Sequence, residues 1–189
     1  MIVVEKRYYM ACLDLEGREC LVVGGGSIAL EKAEGLLECG ASVTVVAPEA
    51  APVLQAPPFR WARRRYRPED LDGMFLVIAA TSDERVNRAV FADAEARGLI
   101  CNVVDVPALC SFILPAVLRR DPIAVGISTG GASPVLAQRL REEIAGVVRE
   151  EHAELARDLR ALRPWAKATF PTYEERRDFF RERVAEALA

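Results

Sequence analysis

Residues 21–40, LVVGGGSIALEKAEGLLECG, constrain this chain more than any other stretch. An apolar run meets three consecutive glycines, and a helical pattern follows them. CLVV reads as a buried strand. Ile28, Ala29, Ala33, Leu36 and Leu37 are spaced to form one apolar face of a helix. Gly40 suits the position just past a helix, where a positive φ is needed. SVTVVAP reads as a second strand, β-branched and stopped by Pro48. Strand, glycine turn, helix and strand make a βαβ unit, and such units are right-handed with parallel strands.

The spacing Gly24-x-Gly26-x-x-Ala29 falls where a dinucleotide-binding turn belongs. Gly24 permits the tight turn, Gly26 lets a pyrophosphate approach the backbone, and Ala29 lets the helix pack close to the sheet. The N–H groups at the helix start then bind the diphosphate. An acidic residue is expected near the end of the second strand, to meet the adenosine ribose. Glu49 is the first carboxylate there, after Pro48, and reads either as that ligand or as a solvated loop residue. No arginine directly follows the strand, so NAD is expected rather than NADP.

The alternation continues. FRWARRRY reads as a short strand, PEDLDG as a single turn and MFLVIAA as a central parallel strand. Thr81 and Glu84 have capping-box spacing, for a helix that runs to Gly98. LICNVVD is a further strand. The first 105 residues thus predict an α/β fold with a doubly wound parallel sheet. Beyond Pro107 the character changes. SFILPAVLRR and IAVGIST read as two strands joined at Asp121-Pro122. A helical stretch is expected from Pro134 to about Arg163, interrupted by Pro164, with a last helix over YEERRDFFRERVAEAL.

Composition excludes more than it selects. No apolar run approaches the roughly 18 residues of a membrane span. Glu5, Lys6 and Arg7 stand where a signal peptide needs its apolar centre, so a cytoplasmic protein is expected. A net charge of −3 gives no support to nucleic-acid binding. The five cysteines are scattered without a C-x-x-C pair, which argues against disulfides and cysteine metal sites. Cys20 and Cys101 read as core residues. His152, the single histidine, lies among Glu150, Glu151 and Glu154 and reads as a surface helix residue, so no resident metal site is expected. Of 25 basic residues only Lys6, Lys32 and Lys167 are lysine. That bias is compatible with genome composition and with a polycarboxylate substrate alike. RWARRRYR likewise reads as a solvated charged run or as an attractor of carboxylates.

Four segments together resemble the precorrin-2 dehydrogenase family, which includes the N-terminal half of the siroheme synthases. They are LDLEGRECLVVGGGSIALEKAEGLLECGASVTVVAP, VIAATSDERVNRAV, CNVVDVPALCSFILPAVLRRDPIAVGISTGGASPVLAQRLREEI and ERRDFF. The resemblance covers nearly the whole chain but not the methyltransferase half of the fused members. It implies an NAD-binding Rossmann domain over residues 1–113, a dimerisation region over 114–148 and a helical C-terminal domain over 149–189. It implies NAD-dependent oxidation of precorrin-2 to sirohydrochlorin by a homodimer, with ferrous iron as a further substrate in some members.

Residue by residue, the resemblance puts the cofactor loop on Gly24, Gly25, Gly26, Ser27 and Ile28, with further cofactor contacts at Pro48, Glu49 and Thr81. It puts the essential carboxylate on Asp105 and substrate contacts on Asn102, Ser128, Thr129, Gly130 and Gly131. Thr129 stands where the family carries a second serine. Glu31 replaces a usual arginine on the glycine-loop helix. Read from the residues alone, Asp105 is either a general base at a strand end or a turn cap before Pro107. Ser133 before Pro134 reads as an N-cap. A dinucleotide-sensing dimer without chemistry and a member that only inserts metal are the alternatives to the dehydrogenase.

Overall fold

A computed structural model describes residues 7–189, so Glu5 and Lys6, part of the argument against a leader, lie outside the described residues. The chain divides into two units, Met1–Ile113 and Leu114–Ala189.

In the first unit, strands β1 (Glu19–Val23), β2 (Ser42–Val46), β3 (Arg60–Ala62), β4 (Leu76–Ala79) and β5 (Ile100–Val103) form one parallel sheet. Their order is β3-β2-β1-β4-β5. The order reverses at β1, and ligands of such sheets bind outside the carboxyl edge at that reversal. Successive side chains along a strand point to opposite faces, and both faces are covered. Cys20, Val22, Val43, Val45, Leu76 and Ile78 pack with Ala29, Ala33 and Leu36 of α1 (Ser27–Glu38). Leu21, Val23, Val77, Ala79, Cys101 and Val103 pack with Val90 and Ala94 of α2 (Glu84–Ala96). Each fully buried Val or Leu contributes about 1.5–3 kcal/mol. Burial, and secondarily Glu19, pushes the Cys20 thiol up to about 11. Burial, then Cys110, pushes Cys101 up to about 12. Both are core thiols, as expected.

Two local expectations are corrected here. Ile28 is 44% exposed and does not belong to the buried stripe of α1. It sits in the first turn, beside the glycines rather than under the sheet. The α2 N-cap is Asp83, whose carboxylate accepts from the Arg85 N–H at 2.9 Å. Thr81 is not in the capping box because a buried asparagine, Asn87, takes up its polar groups.

In the second unit, β6 (Ala116–Arg120) and β7 (Ile123–Ile127) form an antiparallel hairpin. Helices α3 (Pro134–Val147), α4 (Glu150–Thr169) and α5 (Tyr173–Ala187) follow. The expected single helix to Arg163 is two helices. Val148 and Arg149 are extended, and His152 Nδ1 accepts from the Arg149 N–H at 3.2 Å to start α4. Pro164 lies inside α4 rather than ending it. It removes one helical hydrogen bond, while Ala166 is fully buried and Trp165 packs on Phe170 and Phe179. No helix among the described residues is long and apolar enough to cross a membrane.

Candidate active site

The three glycines perform three different tasks. Gly24 has φ +131°, a conformation that disfavours any side chain. Its N–H donates to the Val46 carbonyl at 3.0 Å, and an added Cβ would strike the Ala80 carbonyl, whose carbon would lie at 2.7 Å. An added Cβ at Gly25 would strike the Glu49 carbonyl and come within 2.7 Å of Ala50 Cα. The Gly25 carbonyl also accepts from the Ala51 N–H at 2.8 Å. Gly24 and Gly25 therefore seat the loop against its neighbours. Gly26 differs, since a Cβ there would meet no atom within 4 Å. It is the N-cap of α1, with no side-chain cap and no acidic residue in the first turn. The open space over Gly26 and the uncapped N–H groups of Ser27, Ile28 and Ala29 fit a dinucleotide diphosphate.

The carboxyl edge then runs outward on both sides of this loop. On one side, Pro48 and Glu49 follow β2, both exposed. On the other, the Ala80 N–H donates to the Val23 carbonyl at 2.8 Å, which places Thr81 beside the glycine turn. Asn87 accepts from the Thr81 N–H at 3.3 Å and hydroxyl at 2.8 Å, and donates to the Thr81 carbonyl at 2.9 Å. Sequence reasoning missed Asn87. Its signal is a polar residue on the α2 stripe that otherwise carries Val90 and Ala94.

One strand further, the Val104 N–H donates to the Ala79 carbonyl at 3.0 Å, and Asp105 follows. Asp105 has φ +61°, the one non-glycine residue with positive φ among the described residues. Such a conformation costs roughly 1 kcal/mol or more. Its side chain is exposed, and it caps nothing: the turn after it, Pro107–Leu109, has Val106 as N-cap without a side-chain bond. The turn-cap reading is therefore not realised. The loop is held from beneath. The Cys110 thiol donates to the carbonyls of Val103 and Val106 at 3.2 and 3.3 Å. The Ser111 hydroxyl accepts from the Cys101 N–H at 2.7 Å and donates to the Cys101 carbonyl at 3.1 Å. Asn102, expected as a substrate contact, is 7% exposed, and its amide donates to the Phe112 carbonyl at 3.0 Å.

Ser128, Thr129, Gly130 and Gly131 lie in the second unit, between β7 and α3. Gly130 and Gly131 have φ of +64° and +89°, and side chains added there would meet open space. The Ser128 hydroxyl accepts from the Gly130 N–H at 3.2 Å. Thr129 turns its hydroxyl into the loop, accepting from the Ser133 N–H and donating to the Ser133 carbonyl. Ser133 caps α3 as expected, accepting from the Leu136 N–H at 3.1 Å. Among the described residues, no three His, Cys, Asp or Glu side chains group to hold a metal ion.

The family described as "Putative NAD(P)-binding" matches residues 11–116, more than half of the chain. The family described as "Sirohaem biosynthesis protein central" matches residues 120–146. The siroheme synthase of Chromobacterium violaceum is 44% identical over 177 residues, covering 92% of this chain and 38% of that protein. Siroheme synthase 2 of Klebsiella pneumoniae is 43% identical over 188 residues, covering 93% of this chain and 40% of that protein. The chain thus spans less than half the length of these curated relatives. The solved structure of "SirC, precorrin-2 dehydrogenase" is 31% identical with a TM-score of 0.78, and the match covers 93% of this chain and 88% of that one.

Proposed function

We propose, because this chain belongs to the precorrin-2 dehydrogenase family, that it oxidises precorrin-2 to sirohydrochlorin with NAD in siroheme biosynthesis. The observation that carries this reading is Asp105. A residue held at φ +61° with an exposed, unengaged carboxylate stands two strands from the glycine cradle, on the same carboxyl edge. At about 4.8 Å per strand, that is on the order of 10 Å from the diphosphate position, toward the nicotinamide end.

The nicotinamide, when bound, accepts the hydride that leaves the tetrapyrrole. This chain supplies the rest. The backbone N–H groups of Ser27, Ile28 and Ala29 hold the diphosphate, and Pro48 and Glu49 bound the adenosine end. Asp105 takes the proton released with the hydride, so precorrin-2 and NAD give sirohydrochlorin, reduced cofactor and one proton. The resemblance assigns substrate contacts to Ser128, Gly130 and Gly131 as well, in a second-unit loop that carries one hydroxyl and two glycines with open space over them. In a second step, ferrous iron is a substrate held by the macrocycle, and Asp105, having returned its first proton to solvent, takes the two displaced pyrrole protons one at a time and passes each to solvent. The unengaged carboxylate favours that step as well.

The working form is a homodimer in this reading. A two-stranded hairpin is marginal alone. Leu118, Ala137, Ala153 and Ala166 are the buried hydrophobic residues of the second unit, while Val135 and Val147 of α3 are 79% and 69% exposed. A second copy covers this face, and sedimentation analysis tests it. Anaerobic incubation with precorrin-2 and NAD, following cofactor reduction, tests the dehydrogenase. Tight NAD binding without turnover would leave the sensor reading instead. Sirohydrochlorin with ferrous or cobaltous ion tests insertion.

A further inference from the structure

The strand order brings an arginine to the adenosine end of the cleft. Val46 of β2 pairs with Ala62 of β3, and the Ala47 N–H donates to the Ala62 carbonyl at 3.3 Å. Ala47 and Arg63 therefore leave the same carboxyl edge side by side, and Pro48 and Glu49 come next on the β2 side. Trp61 Nε1 donates to the Ala47 carbonyl at 3.0 Å, which pins the indole across the end of β2. The Arg63 guanidinium lies over that indole, 5.6 Å from its centre, within cation–π range.

The neighbouring arginine is used differently. Arg64 forms a two-pronged pair with Asp70, at 2.8 and 2.5 Å. Arg63 is exposed and makes no ion pair among the described residues. Its donors stay free, while the ring fixes its position. A carboxylate at the end of β2 suits the free ribose diol of NAD and repels a 2′-phosphate, whereas an arginine nearby accommodates that phosphate. A guanidinium forks onto phosphate oxygens. Here both residue types stand at one edge: Glu49 after β2 and Arg63 after β3.

We infer that Arg63, carried on Trp61, is a specificity-determining residue that lets the adenosine end accept a 2′-phosphorylated dinucleotide alongside NAD. This rests on the reading that the glycine loop cradles the dinucleotide diphosphate.

Equilibrium titration of the intact chain with NAD and with NADP, without substrate, tests the inference. Both cofactors should bind, with affinities within about tenfold of each other. Arg63→Glu should weaken NADP at least about tenfold more than NAD, and Arg63→Lys should restore part of the loss. Added salt should weaken NADP more steeply than NAD. NADP binding more than about 100-fold weaker than NAD, or equal losses of both in Arg63→Glu, would overturn the inference while leaving the cradle intact. Binding of neither cofactor would instead overturn the cradle reading, and this inference with it.

Discussion

Asn87 holds Thr81 by both of its backbone polar groups: its amide oxygen accepts from the Thr81 N–H and its amide nitrogen donates to the Thr81 carbonyl. The asparagine is 7% exposed, so water is a poor substitute for either bond. The held residue follows Ala80, against which Gly24 is seated. Asn87→Ala leaves these groups unpaired and should cost about 1–3 kcal/mol. It should also weaken dinucleotide binding, because the wall behind the glycine turn loosens. Urea unfolding and calorimetric titration check the two effects.

Gly25 and Gly26 are adjacent, yet their substitutions should fail in opposite ways. Gly25→Ala drives a methyl group into the backbone at Glu49 and Ala50, and neither can step aside without moving the loop. It should destabilise the fold by about 1–3 kcal/mol. Gly26→Asp meets open space and should unfold within about 0.5 kcal/mol of the parent. Its carboxylate, however, occupies the diphosphate position and repels it. Thermal unfolding separates the pair, and cofactor titration should show near-complete loss in Gly26→Asp.

Asp105 tests whether the strained backbone and the carboxylate serve one purpose. Asp105→Asn keeps the side-chain shape and tolerance of φ +61°. It should abolish turnover of precorrin-2 while leaving NAD affinity within about twofold, since no cofactor contact is removed. Asp105→Gly relieves the strain but enlarges unfolded-state freedom, so stability should stay within about 1 kcal/mol of the parent. A marked stability loss in either variant, with turnover intact, would make Asp105 a structural residue.

The legibility of this chain in sequence followed how local each feature is. Strands β1 and β4 announce themselves as apolar runs because both their faces are buried, and β2 as a β-branched run stopped by Pro48. The turn at Gly24 is equally local. From the residues alone Asp105 reads as a strand-end base or a turn cap, and only the resemblance favours the first, since nothing in NVVD states that its last residue turns to positive φ. In sequence Arg63 is one residue of a charged run, because its placement depends on β3 lying beside β2, which is a property of strand order. The break at Val148 and Arg149 has no glycine or proline to mark it. Pro164 marks a break that packing against α5 overrides.

The Arg64–Asp70 pair should make the segment after β3 acid-sensitive. Burial pushes the Asp70 carboxyl up, but hydrogen bonds from the Arg64 guanidinium and the Arg67 N–H outweigh it. The result lies below the ordinary 3.8. A group with a lowered folded-state pKa stabilises fully above its unfolded value, and that contribution is lost as pH falls through the folded value. Asp70→Asn should therefore be less stable than the parent near neutrality by about 1–2 kcal/mol. The gap should close as pH falls below 3.8. Urea unfolding of both proteins across that range checks the sign.

Asn102 separates a substrate contact from a positioning residue. Its amide nitrogen reaches the Phe112 carbonyl and the Cys110 sulfur, so it ties β5 to the returning end of the loop that carries Asp105. Its burial makes loss of that bond costly. Asn102→Ala should lower stability by about 1–3 kcal/mol. It should lower kcat with a smaller change in KM, because a displaced Asp105 harms proton removal more than substrate binding. Ser111→Ala, which loosens the same loop through the Cys101 backbone, should reproduce the kinetic pattern. A substrate contact at Asn102 would instead raise KM with stability unchanged, and Ser111→Ala would not mimic it. Steady-state kinetics with precorrin-2, run beside urea unfolding, distinguishes the two patterns.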